Sequence, residues 1–579
     1  MGSLVGVYLR ESRRRNKDGT VVSYLQLAHN ERHPVTGSPV AKVIHNFGRA
    51  DQVDPEALRR LVASISRFLE PGQAVAAAAA GEVDILDSRR LGGVWVLDRI
   101  WERLEIGAAI RKVAAGRRLD GQAAERIIFA LAAQRALEPA SKLAATRWVA
   151  ERVFVEDCAG FSDDAAYRAM DFLLEALEEI AAEIFWSVAH LLDLDVDIVF
   201  VDTTSTYWEL EVAAELAETA GSDGEDEDKL PEEEARRVFG HSKDYRDDLP
   251  QVVIAMAVTR DGIPVRCWTF PGDESDQKII RKVKDDLGTW NLRRLVWVAD
   301  RGFASAVNRA YLAKGGGHYI HAEKLRNTNA EAAAALARPG RYHTVAGNLR
   351  VKEVWVPARD AGERAERFTV CHNPEQAQRD KLVRQRLVAH LEGLIAGSDA
   401  WTKTKRDELV GSLKDKPGLR RYLRRTPAGL LRIDKTAIKR EAGLDGKWLL
   451  RTNDDTLTPE DLAAAYKQLI AVERGWRDMK GALRLRPVYH YREDRIRAHV
   501  QLCWLALLLI RVIENAACNT WRNIRHELDR MHLVTLATAH GQAAQRSVTT
   551  AGQQTILSAL KLPGPPRFFD FSIETDATG

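Results

Sequence analysis

The spacing of apolar and polar positions changes several times along this chain, and each change predicts a different kind of structure. Alternating runs at 6–10, 21–30 and 42–48, broken by KDG and HPVTGS turns, predict three short strands, followed by a helix over 55–68. From 90 to 190 apolar residues recur every three or four positions, as packed helices require. A helix over 123–137 stops at Glu138-Pro139, and Ser141-Lys142 opens a second one that reaches Trp148. After 195 strand patterns return at 195–201, 252–259 and 264–270, the last two joined by an Asp261-Gly262 turn. Helix 278–287, strand 295–299, helix 304–313 and strand 318–322 follow, so the order predicts a mixed sheet with crossover helices.

These changes divide the chain. Residues 1–70 form a small β-rich N-terminal module, 71–89 a linker, and 90–194 a helical region. The α/β core begins over 195–325 and carries an acidic loop at 209–234. An insertion domain occupies 326–445, β-like at 342–357 and 368–372 and basic and helical elsewhere. The core resumes over 446–515 with strand 448–450 and a helix from 459 to about 483, capped by Thr456 or Thr458. A helical tail occupies 516–579.

Composition narrows the function. With 45% hydrophobic and 29% charged residues among 579, the chain is globular rather than disordered. Five singly spaced cysteines exclude a disulfide framework or zinc module, no secretory apolar stretch opens the chain, and the apolar run 500–513 contains Gln501 and Arg511. These features predict a cytoplasmic protein with no membrane partner. GxxxxGK[ST], HExxH and a strand-borne GxGxxG are absent, which predicts no nucleotide cofactor. The net charge of +3 is a cancellation: 209–234 holds twelve acids and one lysine, leaving +14 elsewhere, and 403–440 alone carries +9. Segregated charge fits an enzyme acting on nucleic acid. In the helical region Arg126, Arg135, Lys142 and Arg147 admit two readings, a helix-turn-helix that docks on DNA or a bundle with solvated charges.

The candidate chemistry lies at strand ends. Asp202 and Asp300 each close a core strand; on neighbouring strands their carboxylates would emerge together, a pairing that a hard divalent cation such as Mg²⁺ relieves. A single strand-end aspartate is as readily a turn former. Tyr466, Glu473 and Lys480, spaced seven and seven, share one helix stripe, which suits a metal ligand between phosphate-binding groups or an ordinary exposed face. Asp244, Asp247 and Asp248 read as loop-shaping acids, with Lys243 and Arg246 as candidate DNA contacts. Asp273, Glu274 and Asp276 read as acids at a helix start, and His490, Arg495 and His499 as phosphate contacts or solvated charges. Trp476 and Trp355 are candidates for stacking on a frayed base, against a plain core role.

Taken together, VDTTS at Asp202, VADRGF at Asp300, GHSKDYRDDLPQ, YKQLIAVERGWRDMK and RPVYHYREDRIRAHV are familiar. They resemble the DDE transposases of bacterial insertion sequences, in the subgroup whose third-carboxylate helix reads Y-x2-R-x3-E-x6-K. Tyr466, Glu473 and Lys480 match, whereas Leu469 stands at the signature arginine; Arg477, four residues past Glu473, is the candidate replacement. The resemblance implies an RNase H-like (retroviral-integrase-like) core interrupted by an insertion domain, with Asp202, Asp300 and Glu473 as catalytic metal ligands. It implies two Mg²⁺ ions, with Mn²⁺ able to stand in, and Tyr466 and Lys480 on the DNA phosphates. The implied partners are double-stranded DNA (terminal inverted repeats and target) and a second copy of the chain in a synaptic homodimer, at work on the bacterial nucleoid. The competing readings are a nuclease of the same fold without strand transfer, and a DNA-binding protein that has lost catalysis.

Overall fold

The computed structural model describes the chain except residues 1–6, 18–19, 34–37, 55–56, 59, 62–82, 193–197, 208–235, 291–294, 327–328, 358–364, 487–491, 539–540 and 574–579. The acidic loop 209–234, His490, and most of the helix expected over 55–68 lie outside the described residues.

At the start, β1 (Val7–Arg15), β2 (Val21–Arg32) and β3 (Pro39–Arg49) form an antiparallel three-stranded sheet, as the alternation predicts. The stretch expected as linker ends in a strand, β4 (Asp84–Arg90). Six helices follow: α1 (Gly92–Arg103), α2 (Ile106–Ala114), α3 (Gly121–Leu137), α4 (Lys142–Arg147), α5 (Asp163–Glu175) and α6 (Leu177–Leu191). Asp120 caps α3 through the Gln122 and Ala123 amides, and every α3 residue from Ala124 to Leu137 is buried. A helix enclosed on all sides must pair its charges internally. Arg126, Arg135 and Lys142 are accordingly only 8%, 5% and 3% exposed. The helix-turn-helix reading fails here, because of its four cations only Arg147 is exposed.

The core sheet is built from β5 (Ile198–Tyr207), β6 (Gln251–Val258), β7 (Pro264–Pro271), β8 (Val296–Ala299) and β9 (His318–Glu323). Helices α7 (Asp276–Gly288) and α8 (Ala306–Ala313) connect β7 to β8 and β8 to β9. The spatial order is β7-β6-β5-β8-β9; β5, β6 and β7 pair antiparallel, while β8 and β9 run parallel to β5. This is the strand arrangement of an RNase H-like core, and the mixed sheet matches the expectation from element order.

The insertion is less separate than its sequence implies. After α9 (Ala330–Ala337), its strands β10 (His343–Ala346), β11 (Leu349–Val356) and β12 (Glu366–His372) continue the core sheet. Its helical part comprises α10 (Pro374–Ile395), α11 (Lys403–Ser412), α12 (Pro417–Arg420), the hairpin β13 (Leu423–Arg425) and β14 (Leu431–Ile433), and α13 (Lys435–Ala442). Leu391, Leu413, Leu419, Tyr422 and Ala437 give that part a small core of its own. Strand β15 (Lys447–Thr452) then slots between β12 and β9, completing nine strands.

The helix expected from 459 to about 483 is two helices, α14 (Pro459–Gln468) and α15 (Ile470–Lys480). At the junction Leu469 N bonds Tyr466 O and Val472 N bonds Leu469 O, i to i−3 contacts that tighten the chain where Leu469 itself is buried. Thr458, not Thr456, caps α14, in a capping box with Asp461. Helix α16 (Glu493–Ala517) packs on α3, α5 and β7 as the spine of the main core. It is long and apolar enough to cross a membrane, but 94% of its apolar window is buried inside the fold. The expected helical tail is mixed: α17 (Trp521–Leu528) and α18 (Ala551–Ala559) alternate with β16 (His532–Thr538), β17 (Gly541–Arg546) and β18 (Phe568–Ile573). These strands need a distant partner: β4 adds to β16, closing a four-stranded sheet in the order β18-β17-β16-β4.

Candidate active site

Val201 of β5 lies opposite Ala299 of β8 in parallel register. The next residues, Asp202 and Asp300, are therefore neighbours on the same face, with backbones about 4.8 Å apart. Asp300 follows the end of β8 as expected, but Asp202 does not close its strand, because β5 goes on pairing with β6 to Tyr207. Both side chains are partly buried. Burial pushes the Asp202 carboxyl up to about 6, against the pull of Lys243, and the charges of Asp276 and Asp300 push it further the same way.

A glycine brings α15 to this edge. Met256 of β6 is the cross-strand partner of Asp202, and a Cβ at Gly475 would stand 2.6 Å from the Met256 terminal methyl. Helix α15 thus packs closely on β5 and β6, with the Met256 methyl filling the space a side chain at 475 would need, and the exposed Glu473 stands on this same helix. Tyr466 comes from α14 and donates its hydroxyl to Asp300 Oδ1 at 2.9 Å. Burial first, then Asp300, raise the phenol's pKa, so it remains a protonated donor.

Two carboxylates that sequence reasoning placed elsewhere complete the surroundings. Asp276, in the first turn of α7, accepts from Thr203 Oγ1 at 2.5 Å and from Lys243 Nζ at 3.2 Å. Lys243 also donates to the Thr203 carbonyl at 3.0 Å and to its hydroxyl. Gly302, two residues past Asp300, leaves room for Asp276, whose Oδ2 would stand 3.0 Å from a Cβ there. Asp244 Oδ2 accepts from Lys480 Nζ at 2.7 Å and from Arg486 at 2.8 Å. Burial lowers the pKa of Lys480, and the Asp244 carboxylate opposes that shift. No local signal marks either acid, because each meets its partner through the fold.

The other predicted residues scatter. Arg246 pairs with Asp248 at 2.9 Å, and both Arg246 and Arg486 sit 5.1 Å from the Tyr207 ring centroid. Arg477 is exposed and lines a cleft between α15 and α17. Trp476 is buried in the main core. Trp355, partly exposed on β11, lies five strands from β5, roughly 24 Å at sheet spacing. Of the candidate phosphate contacts near 490, Arg495 donates to Asp171 at 2.9 Å and His499 is buried beside Lys142. Among the described residues no three His, Cys, Asp or Glu side chains gather closely enough to hold a metal ion.

The family model "Transposase DDE domain" matches residues 197–509, more than half of the chain, and "IS1634 family transposase, N-terminal domain" matches 9–77. The chain belongs to the DDE transposases. It is a DNA transposase of the insertion-sequence type, and the DDE match spans Asp202, Asp300 and Glu473. No curated protein matches it. Among solved structures it is similar to the piggyBac transposase synaptic complex with hairpin DNA, at 8% identity and a TM-score of 0.33 over 84% of this chain and 87% of that one. At that distance the likeness places no residue of this transposase.

The donor set nevertheless fits a divalent cation. Paired aspartates on adjoining strands are hard oxygen ligands, and the upward push on Asp202, mainly from burial and in smaller part from Asp276 and Asp300, is one that a bound cation would oppose. Mg²⁺ needs only one or two protein carboxylates, so a closed three-residue cage is not required.

Proposed function

We propose that Asp202, Asp300 and Glu473 are the catalytic carboxylates of this transposase, and that they nick the ends of its element and join the freed 3′-hydroxyl to target DNA. The observation that carries this reading is the register of β5 and β8, which sets Asp202 beside Asp300, with α15 seated against Met256 through Gly475. Two bound Mg²⁺ ions, or Mn²⁺ in their place, would supply activation of the attacking hydroxyl and charge neutralisation at the leaving oxygen. Asp202 and Asp300 hold one side of that site, and Glu473 holds the other from the helix surface.

The remaining groups position and balance. The Tyr466 hydroxyl fixes the orientation of Asp300 through Oδ1. Lys243, tied to Asp276 and Thr203, keeps a positive charge beside Asp202. Lys480 and Arg486, now on Asp244, are the cations we assign to the phosphates next to the cleaved bond. Lysine acts there as a point charge. Buried Leu469 cannot serve as the signature arginine does; Arg486, which shares Asp244 with Lys480, is the source of that charge we favour over Arg477, which lines the cleft beside α17. The N-terminal modules read the terminal repeats, a homodimer brings paired ends together, and the protein acts on the cytoplasmic nucleoid.

The test is supercoiled DNA carrying the element's ends, incubated with the protein and Mg²⁺. Nicking with strand joining supports the proposal. Cutting without joining leaves the nuclease reading, and binding alone leaves the non-catalytic one.

A further inference from the structure

A cavity of about 1060 Å³ lies outside the carboxylate site. It separates α15 from α17 and α18, with Ile510 and Glu514 of α16 at its floor. None of Asp202, Asp300, Glu473 or Lys480 lines it. A second hollow of about 350 Å³ shares Arg474, Glu514, Asn519 and Thr520 with it and extends it toward the turn at Asp261 and Gly262.

The charges of this cleft divide into two classes. Its acids are already partnered within the chain. Buried Arg511 pairs with both Asp478 and Glu514, and Glu514 also accepts the Trp521 amide at 2.7 Å. Glu527 pairs with Arg530 at 3.3 Å, and Asp529 with Arg525 at 3.3 Å. By contrast Arg474, Arg477 and Arg522 are exposed, line the cleft, and make no ion pair among the described residues. A fold that neutralises the four acids lining the larger cavity and leaves three guanidiniums on its walls has prepared that cavity for an external polyanion.

We propose that this cleft is a second DNA-backbone site, in which Arg474 and Arg477 on one wall and Arg522 on the other hold successive phosphates of duplex DNA. The proposal rests on the transposase reading, since the cleft flanks the helix that carries Glu473, but it does not require the catalytic roles of the three carboxylates. Arg474 adjoins Glu473 in sequence, so a strand held here is delivered along α15 toward the carboxylate edge. Arginine suits this task because its guanidinium meets phosphate oxygens in bidentate fashion.

The experiment compares the full-length protein with the triple variant Arg474→Ala/Arg477→Ala/Arg522→Ala, using fluorescence anisotropy on a duplex of arbitrary sequence over a salt series. Each lost phosphate contact removes about 0.9 from the slope of log K against log salt, so the slope falls by roughly 2 to 3 units. Affinity at moderate salt drops about tenfold or more. The three side chains are exposed, so the variant is expected to melt as the parent does, and a melting curve checks this. An unchanged slope with an intact fold overturns the cleft. Glu473→Gln, measured beside it, keeps the parental slope and loses cleavage. Retained cleavage by that variant would remove the catalytic reading while leaving the cleft proposal standing.

Discussion

Two sets of basic side chains in this transposase have opposite fates. Along α3 and α4, Arg126 donates to both Glu125 and Asp98, Arg135 reaches the Arg484 carbonyl at 3.5 Å, and Lys142 lies 2.8 Å from His499 Nδ1. Along α15 and α17, Arg474, Arg477 and Arg522 face solvent and meet no carboxylate among the described residues. In the sequence the first set looks more like a DNA-docking surface, since it sits on two short helices around a tight turn. The fold reverses that impression. Whether a cation is consumed inside the fold or left facing solvent is decided by tertiary packing, not by its place in the sequence.

The contrast can be broken most forcefully at Arg126. Arg126→Ala strips buried Asp98 and Glu125 of their shared cation, leaving Arg99 beside the first and Arg111 beside the second, and should cost about 3 kcal/mol of stability in a denaturant titration. A loss below about 1 kcal/mol would mean that these charges meet solvent in the folded protein.

Next in size is the interior's response to acid at His321, in β9 between Ala299 and Arg451. Burial, reinforced by Arg309 and Arg451, pushes its pKa down to about 3. Below about 6.5 the unfolded chain takes up a proton that the folded chain refuses, so stability is lost as pH falls, by about 1.4 kcal/mol per unit until pH nears 3. His321→Leu should flatten that slope in thermal melts, and an unaltered pH profile would contradict the assignment.

A smaller effect is expected at Gly475. Gly475→Ala forces the flexible end of Met256 aside, at about 1 kcal/mol, and lifts α15 from β5 and β6. Cleavage should fall several-fold while DNA binding is retained; equal cleavage would show that the close approach is incidental. The smallest effect on stability comes from the second set itself. Arg522→Ala should leave the melting midpoint in place and lower the salt slope of DNA binding by about 0.9.

Much of the core is legible in the amino-acid sequence, for a physical reason. β5, β8 and β9 are enclosed on both faces, so they appear as short apolar runs, and the two catalytic candidates stand where those runs stop. The aspartate pair is therefore legible from Val201-Asp202 and Ala299-Asp300 alone. The features that the sequence hides depend on long-range pairing. Nothing local tells that β15 inserts between β12 and β9, or that β4 closes a sheet with β16. Asp276 reads as a helix-start acid and Asp244 as a loop former, because Lys243 meets the first, and Lys480 and Arg486 the second, only once the sheet is assembled. The seven-residue stripe through Tyr466, Glu473 and Lys480 assumes one straight helix, and buried Leu469 divides it in two.

The central claim is that Asp202 and Asp300, side by side on β5 and β8, perform the strand chemistry with Glu473. Its most direct measurement is single-turnover nicking of end-bearing supercoiled DNA by Asp300→Asn, with DNA affinity measured on the same preparation. The account predicts cleavage lowered by about a thousandfold or more, as for loss of a principal transition-state stabiliser, with binding unchanged. Cleavage within a few-fold of the parent would contradict it.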